Sequence, residues 1–251
     1  MAILSSSLHD PHAGLAWMLP HVATLRATFD KVVVTATAST SDALLLDLRR
    51  LGCAVAKRPN DTVGLTYRDT VRRGHMAGAR TLFLLDFDRA LHWARTRPEE
   101  LARAAKRAER HEWFIGERTP RAYRSHHLPL YKTEQEPNRI IAKRLGERTT
   151  HDYLSSCVGL SRGAQEAVLS APTRRDLSVF GLWPLAVKKA GYRPAYATFE
   201  GLEWETADQN RDKVEALGGV AAFRASLDNP AEWEKRERMA IEFVRDYKTA
   251  P

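Results

Sequence analysis

Two carboxylates one residue apart, Asp86 and Asp88, close the apolar run Leu82-Phe83-Leu84-Leu85. Such a run reads as a strand buried on both faces. In extended backbone alternate side chains share a face, so the spacing predicts that both carboxylates point the same way at the strand's open end. Like charges held that close need a cation, a shared proton or ample water. A hard divalent ion, Mg²⁺ or Mn²⁺, bridging to a diphosphate meets that need. The plainer alternative is that Asp86 ends the strand and Asp88 caps the helix that follows.

The elements that must position this pair alternate. A strand over residues 2–7 leads through a loop at His9-Asp10-Pro11 into a helix carrying Leu15, Met18, Leu19, Val22 and Leu25 at helical spacing. The β-branched run Val32-Val33-Val34-Thr35 predicts a second strand. Four N-capping residues, Ser39-Thr40-Ser41-Asp42, then open a helix that Gly52 stops. A short strand over 53–57, a weakly helical stretch over 64–77 and the strand before Asp86 complete the first third. Strand and helix alternating through short connections imply a mostly parallel sheet with helices on both faces. Ligands of such sheets bind beyond the carboxyl ends of the strands. Ser7, His9, Thr37, Ser39, Arg58, Asn60 and Asp86 fall at those ends.

Farther along, a helix is expected over residues 98–110 and a strand over 112–116. Residues 118–151 hold Pro120, Pro129 and Pro137 and many charges, which predicts a long loop or irregular insertion. A strand over 155–160, helices over 162–169 and 178–190, and an edge strand over 192–199 follow. The last strand runs into Glu200-Gly201-Leu202-Glu203-Trp204-Glu205, a clustering of acids with an aromatic. Asn229-Pro230 starts a final amphipathic helix whose Trp233, Ala240, Phe243, Val244 and Tyr247 form a packing stripe.

With 251 residues, 43% of them apolar, the chain has material for one large core. Lys and Arg number 39 against 31 Asp and Glu, a net charge of +8 that suits a polyanionic partner such as a nucleotide diphosphate. Neither spaced Cys/His ligands nor an aromatic-rich platform points to nucleic acid. No apolar run approaches the roughly 20 residues that span a bilayer. No signal-peptide pattern opens the chain. Cys53 and Cys157 lack metal-ligand spacing and read as reduced core residues of a cytoplasmic protein, with peripheral membrane attachment left open.

The order of Ser39-Thr40-Ser41-Asp42, Asn60, Gly64, Leu84-Leu85-Asp86-Phe87-Asp88, Gly159-Leu160-Ser161-Arg162 and Lys189-Ala190-Gly191-Tyr192-Arg193 resembles the nucleotide-sugar domain of GT-A fold glycosyltransferases, especially glycosyltransferase family 2. The resemblance covers residues 1–206. It implies a Rossmann-like GT-A fold and a hexosyltransferase-type enzyme moving a sugar from a nucleotide diphosphate sugar to an acceptor; residues 207–251 lie outside it and are expected to form a helical extension packed on the same domain. By the same resemblance Asp86 lies near the ribose and the metal, and Asp88 binds the Mn²⁺ or Mg²⁺ that bridges the phosphates. Ser7, His9, Thr37, Arg58, Asn60 and Arg68 are the expected donor contacts, with Arg118 a further cation for the phosphates. Two departures stand out: Thr35-Ala36-Thr37-Ala38 replaces an aspartate that contacts the base in family 2, and Phe180-Gly181 stands where inverting members carry an acidic pair. Asp176, Glu203 and Glu205 are the candidate bases, with Trp204 as a sugar-stacking platform; a retaining mechanism needs no such base.

Two other classes fit the same residues. A strand ending Asp-Phe-Asp resembles the first motif of haloacid dehalogenase phosphatases, with Asp86 as nucleophile, Asp88 as acid/base, and Asp208 and Asp212 imitating the final acidic motif. Against it, Arg89 and Ala90 replace the small residue and Thr of that motif. A catalytically inactive nucleotide-sugar binding protein is the third class.

Overall fold

Residues 1–247 are described by the computed structural model. Residues 248–251, the end of the expected C-terminal extension, lie outside them. The first strands are built where β-branched and aliphatic residues run together: β1 (Ile3–Leu8), β2 (Lys31–Ala36), β3 (Ala54–Lys57) and β4 (Thr81–Leu84). Between them come a 3-10 turn with α1 (Val22–Thr28), then α2 (Asp42–Arg50) and α3 (Val63–Met76). Gly52, at φ +82°, takes the left-handed conformation that ends α2. Pro11 lies in a turn, and helical structure starts only at Ala16.

Beyond β4 the chain forms α4 (Phe87–Thr96), α5 (Pro98–Ala108) and β5 (Trp113–Arg118). Next come α6 (Pro120–Ser125), α7 (Leu128–Thr133) and α8 (Gln135–Arg144). Then follow β6 (Cys157–Ser161), α9 (Arg162–Ser170), α10 (Val179–Lys189) and β7 (Pro194–Phe199). The end of the described chain is helical: α11 (Thr206–Gln209), α12 (Arg211–Ala216), α13 (Val220–Ser226) and α14 (Pro230–Phe243).

The seven strands form one sheet in the order β3-β2-β1-β4-β6-β5-β7. All neighbours are parallel except β6, which runs antiparallel to both β4 and β5. This is the Rossmann-like α/β architecture expected from the alternation. One apolar cluster, with Phe29, Phe83, Phe87 and Trp93, fills one face of the sheet; a second, with Trp113, Leu160, Trp183 and Tyr247, fills the other.

The stretch expected to be a loop is three helices. Pro120 and Pro129 occupy first-turn positions, where a missing N–H costs nothing, and the Thr119 hydroxyl accepts a hydrogen bond from the Ala122 N–H. These prolines start helices and break none. α14 packs against α7, α8 and α10, joining the C-terminal helices to the sheet domain.

That junction holds two buried histidines in neutral form. His126 Nε2 donates to the Leu202 carbonyl, and His127 Nε2 lies 3.1 Å from Glu232 Oε1. Burial and then Arg118 hold His126 well below the ordinary imidazole value of 6.5. Burial and Arg236, against the opposing pull of Glu232, bring His127 down to about 4. Unfolding frees both rings to take up protons below pH 6.5, so the unfolded state binds more protons there. The stability these rings contribute is complete above that pH and is lost toward pH 4. Urea unfolding between pH 7 and 4.5 is expected to show this loss, and His127→Gln to flatten the slope by up to one proton; an unchanged slope in the variant would contradict the burial argument.

Candidate functional site

The carboxyl ends of β1, β2, β3 and β4 share one rim of the sheet, and Ser7, His9, Thr37, Asn60 and Asp86 lie along it. The acidic pair is not on the strand. β4 ends at Leu84, Asp86 precedes α4 with φ −63° and ψ 142°, and Asp88 sits in the first turn of that helix. Turning into the helix, and not strand alternation, brings the two carboxylates together. The helix N-terminus supplies partial positive charge there.

Asp86 is anchored on one oxygen. Its Oδ1 accepts from Ser7 Oγ at 2.5 Å and from Tyr67 Oη at 2.8 Å. Burial and the adjacent Asp86 keep the Tyr67 phenol protonated, well above its ordinary value. Asp88 Oδ1 accepts from the Arg89 N–H at 2.8 Å. Among the described residues, Oδ2 of each aspartate accepts no hydrogen bond.

A third carboxylate joins them. Glu205, between β7 and α11, is 6% exposed, and its Oε1 accepts from Arg89 Nη2 at 2.9 Å. Its Oε2 is buried and unpartnered. Arg89 also donates to the Ser155 carbonyl, so one buried guanidinium ties the start of α4 to the approach to β6. Burial, then the charges of Glu205 and Asp86, push Asp88 up to about 7 against the opposing pull of Arg89. Three carboxylates and one arginine leave negative charge uncompensated, the setting in which a divalent cation is favoured.

No three His, Cys, Asp or Glu side chains among the described residues converge as a ready-made metal centre. Hard cations that bind through one or two carboxylates complete their shells with water and phosphate oxygens, so the free Oδ2 atoms of Asp86 and Asp88 suit that mode.

Farther along the rim, His9 Nδ1 lies 2.9 Å from Thr37 Oγ1 and 3.4 Å from Ser39 Oγ, and Asp61 Oδ1 accepts from the Ser39 N–H at 3.0 Å. These groups form a polar shelf beyond β2. Arg58 is committed to Asp69, the Leu65 carbonyl and, at 3.4 Å, Asn60 Oδ1. Arg68 turns away from the rim and donates to the Leu169 and Ala171 carbonyls. Arg118 is held between Asp152 and Glu134.

Asp176 accepts from the Ser178 hydroxyl at 2.6 Å and pairs with Arg245. Glu203 pairs with Arg121 at 2.6 Å and lies 3.8 Å from His92, one turn beyond Asp88 on α4. Trp204 is 7% exposed and stacks on Phe223 with centroids 5.6 Å apart. Its indole is core packing, which removes the sugar-stacking platform expected from the sequence. Of the proposed bases, Glu205 is the one brought beside Asp88.

Tyr67, Arg89 and Asp61 are residues that the sequence reading did not assign to the site. Arg89 had a signal in its adjacency to the acidic pair. Gly64, one turn before Tyr67, lets α3 approach the loop before α10; a Cβ there would sit 2.5 Å from the Asp176 carbonyl oxygen.

No protein-family profile and no curated protein matches the chain. Among solved structures it is similar to a mycobacterial protein, with 11% identity and a TM-score of 0.54 over 78% of this chain and 64% of that one. It thus spans less than two thirds of that protein, and the similarity is one of fold. It is also similar to residues 1–349 of S. aureus TarS, with 11% identity and a TM-score of 0.49 over 99% of this chain and 72% of that one.

Proposed function

We propose that the chain is a metal-dependent glycosyltransferase of the cytoplasm, acting on a nucleotide diphosphate sugar. One observation carries the reading: Asp86 and Asp88 meet at the carboxyl rim of a Rossmann-like sheet, against the positive end of α4, each with one oxygen outside any hydrogen bond among the described residues, and Glu205 lies beside them on Arg89. The GT-A resemblance of the sequence calls for an acidic pair at that rim. The net charge of +8 favours a polyanionic donor.

In this reading the nucleoside lies on the polar shelf of His9, Thr37 and Asp61, and the diphosphate reaches Asp86 and Asp88. Tyr67 and Ser7 hold Asp86 in one rotamer, so its second oxygen is presented without reorganisation. Mn²⁺ or Mg²⁺ held by the two aspartates would neutralise charge building on the departing diphosphate. Glu205, with Oε2 unpartnered, is the proposed base toward the acceptor hydroxyl, and Arg89 orients it. A positioned base contributes about 10²–10⁴-fold, so Glu205→Gln is expected to lower transfer by at least about 100-fold while donor binding persists. Equal loss of donor binding would remove Glu205 from that role.

The direct test is a thermal-shift screen of nucleoside diphosphates and their sugars with and without Mn²⁺. A ligand at about 100 times its Kd stabilises by about 2.7 kcal/mol, roughly a 5–10 °C shift for a chain of this size. A shift that requires both metal and nucleotide supports the reading, and sugar transfer or donor hydrolysis completes it. No shift with any nucleotide, or release of phosphate from simple phosphoesters in its place, overturns it.

A further inference from the structure

A cleft of about 470 Å³ lies where the C-terminal helices meet the corner before α7. That is within the roughly 300–1,000 Å³ of small-ligand sites. His127 and Thr206 line it from within residues 1–206; the rest of its wall, including Lys213 on α12, Ser226 on α13, and Glu232 and Arg236 on α14, lies beyond them. The part of the chain that resembles the glycosyltransferases therefore does not account for it.

Charge on the wall is unbalanced. Glu232 accepts from Arg236 Nε at 2.7 Å, from Lys235 Nζ at 3.1 Å and from His127 Nε2 at 3.1 Å. Holding the guanidinium by Nε leaves both Nη nitrogens of Arg236 without an acceptor among the described residues. Such a pair grips two oxygens of one anion in parallel. Lys213 is exposed and has no ion-pair partner among the described residues. Three cations thus face one carboxylate, an excess that a dianion matches, and a phosphomonoester carries a charge of about −1.5 to −2 near neutral pH.

Buried nitrogens beside the cleft call for a second group. The His127 side chain is 1% exposed, and because a carboxylate only accepts, the neutral ring carries its proton on Nε2 and leaves Nδ1 a bare acceptor. Among the described residues Nδ1 is buried and has no hydrogen-bond partner. The Trp204 indole N–H shares that condition. Trp204 stacks on Phe223, which lines the cleft, its ring centre is 6.3 Å from that of His127, and its Nε1 is buried and unpartnered. Polar groups left this way carry a desolvation cost, and a hydroxyl, donor and acceptor at once, answers both.

We infer that this cleft binds a small hydroxylated phosphomonoester, its phosphate on Arg236 and Lys213 and a hydroxyl toward His127 Nδ1 and the Trp204 N–H. The site shares no residue with the Asp86 and Asp88 rim and needs no metal. It stands whether or not the transferase reading does.

The test titrates the full chain calorimetrically, without metal, with glucose 6-phosphate and ribose 5-phosphate, and with inorganic phosphate and glucose as partial ligands. At least one sugar phosphate is expected to bind, and each partial ligand to bind at least about tenfold more weakly than it. Arg236→Gln should weaken the sugar phosphate at least about tenfold, and Lys213→Glu at least about fivefold. α12 buries no residue, so Lys213→Glu leaves the fold intact and decides the matter if the arginine variant does not fold. A saturating nucleoside diphosphate with Mn²⁺ should leave the affinity unchanged. Competition by that nucleotide would place the phosphate at the carboxylate rim and overturn the inference. Absence of binding, equal affinity for inorganic phosphate, or full affinity in both variants would overturn it as well. Sugar-phosphate binding without any response to nucleotide sugars would sink the transferase reading and leave the cleft standing; the reverse pattern would do the opposite.

Discussion

Asp88→Ala is expected to abolish Mn²⁺-dependent stabilisation by nucleoside diphosphates and to lower sugar transfer by about 100-fold or more, the loss typical of removing one group aimed at developing charge. The same change should raise the melting temperature of the protein without metal or nucleotide. Both effects follow from the same geometry. Asp88 faces Glu205 and Asp86, and only Arg89 and the N-terminus of α4 oppose the repulsion. Deleting one of three crowded charges relieves the fold and removes what a cation would be held by. Asp88→Asn should behave alike, because it keeps the volume and the Arg89 N–H contact while losing the charge. Opposed signs in stability and activity distinguish a functional carboxylate from a helix-capping one, whose removal costs about 0.5–2 kcal/mol. If Asp88→Ala lowers the melting temperature and keeps full metal-dependent stabilisation, the metal leaves the account and Asp88 becomes a cap.

The strands were readable because each is a short run of β-branched or aliphatic residues between turn signals, and parallel pairing followed from the helices between them. α3 read weakly for a physical reason. Its buried face is Gly64, Thr66, Thr70, Val71 and Gly74, small or hydroxylated residues that let it lie close on β1, where Ser5 Oγ donates to the Thr70 carbonyl. A search for large apolar residues passes over such a face. α4 failed to register for the opposite reason: Phe87, Arg89, Ala90, Leu91, His92, Trp93 and Ala94 are all buried, so no polar stripe marks its outer side. Missing α4 puts Asp88 on the strand's end in the favoured reading, whereas the structure places it in the first turn of that helix. Arginine roles were the least legible. Arg58, Arg68, Arg89 and Arg118 look alike in sequence, and only tertiary contacts reveal that each is committed to protein acceptors.

Arg118 carries the second large effect. Its side chain is 1% exposed, and it binds Asp152 through Nε and Nη2 at 2.6 and 2.7 Å and Glu134 through Nη2 at 2.6 Å. The guanidinium also lies 4.0 Å from the Tyr123 ring centre. One cation thereby fixes the end of β5, the start of α8 and the loop that leads to β6. Burial pushes Asp152 up, but Arg118 outweighs it and leaves that carboxyl below its ordinary value; for Glu134 burial wins and the value is raised. Arg118→Met keeps most of the volume and strands two carboxylates in the interior. Breaking a buried pair in this way costs about 3–5 kcal/mol, so the melting temperature should fall by roughly 10 °C at neutral pH. Without the arginine both carboxyls would be raised in the folded state, which then binds more protons than the unfolded chain, so the deficit should shrink as pH falls toward 5. Adding Glu134→Gln and Asp152→Asn should recover much of the loss, because neutral groups in the same places need no counter-charge. If Arg118 served the donor diphosphate, as the family resemblance implies, Arg118→Met would leave the melting temperature nearly unchanged and weaken nucleotide binding; that result would show that the three-way ion pair does not hold the protein together in solution.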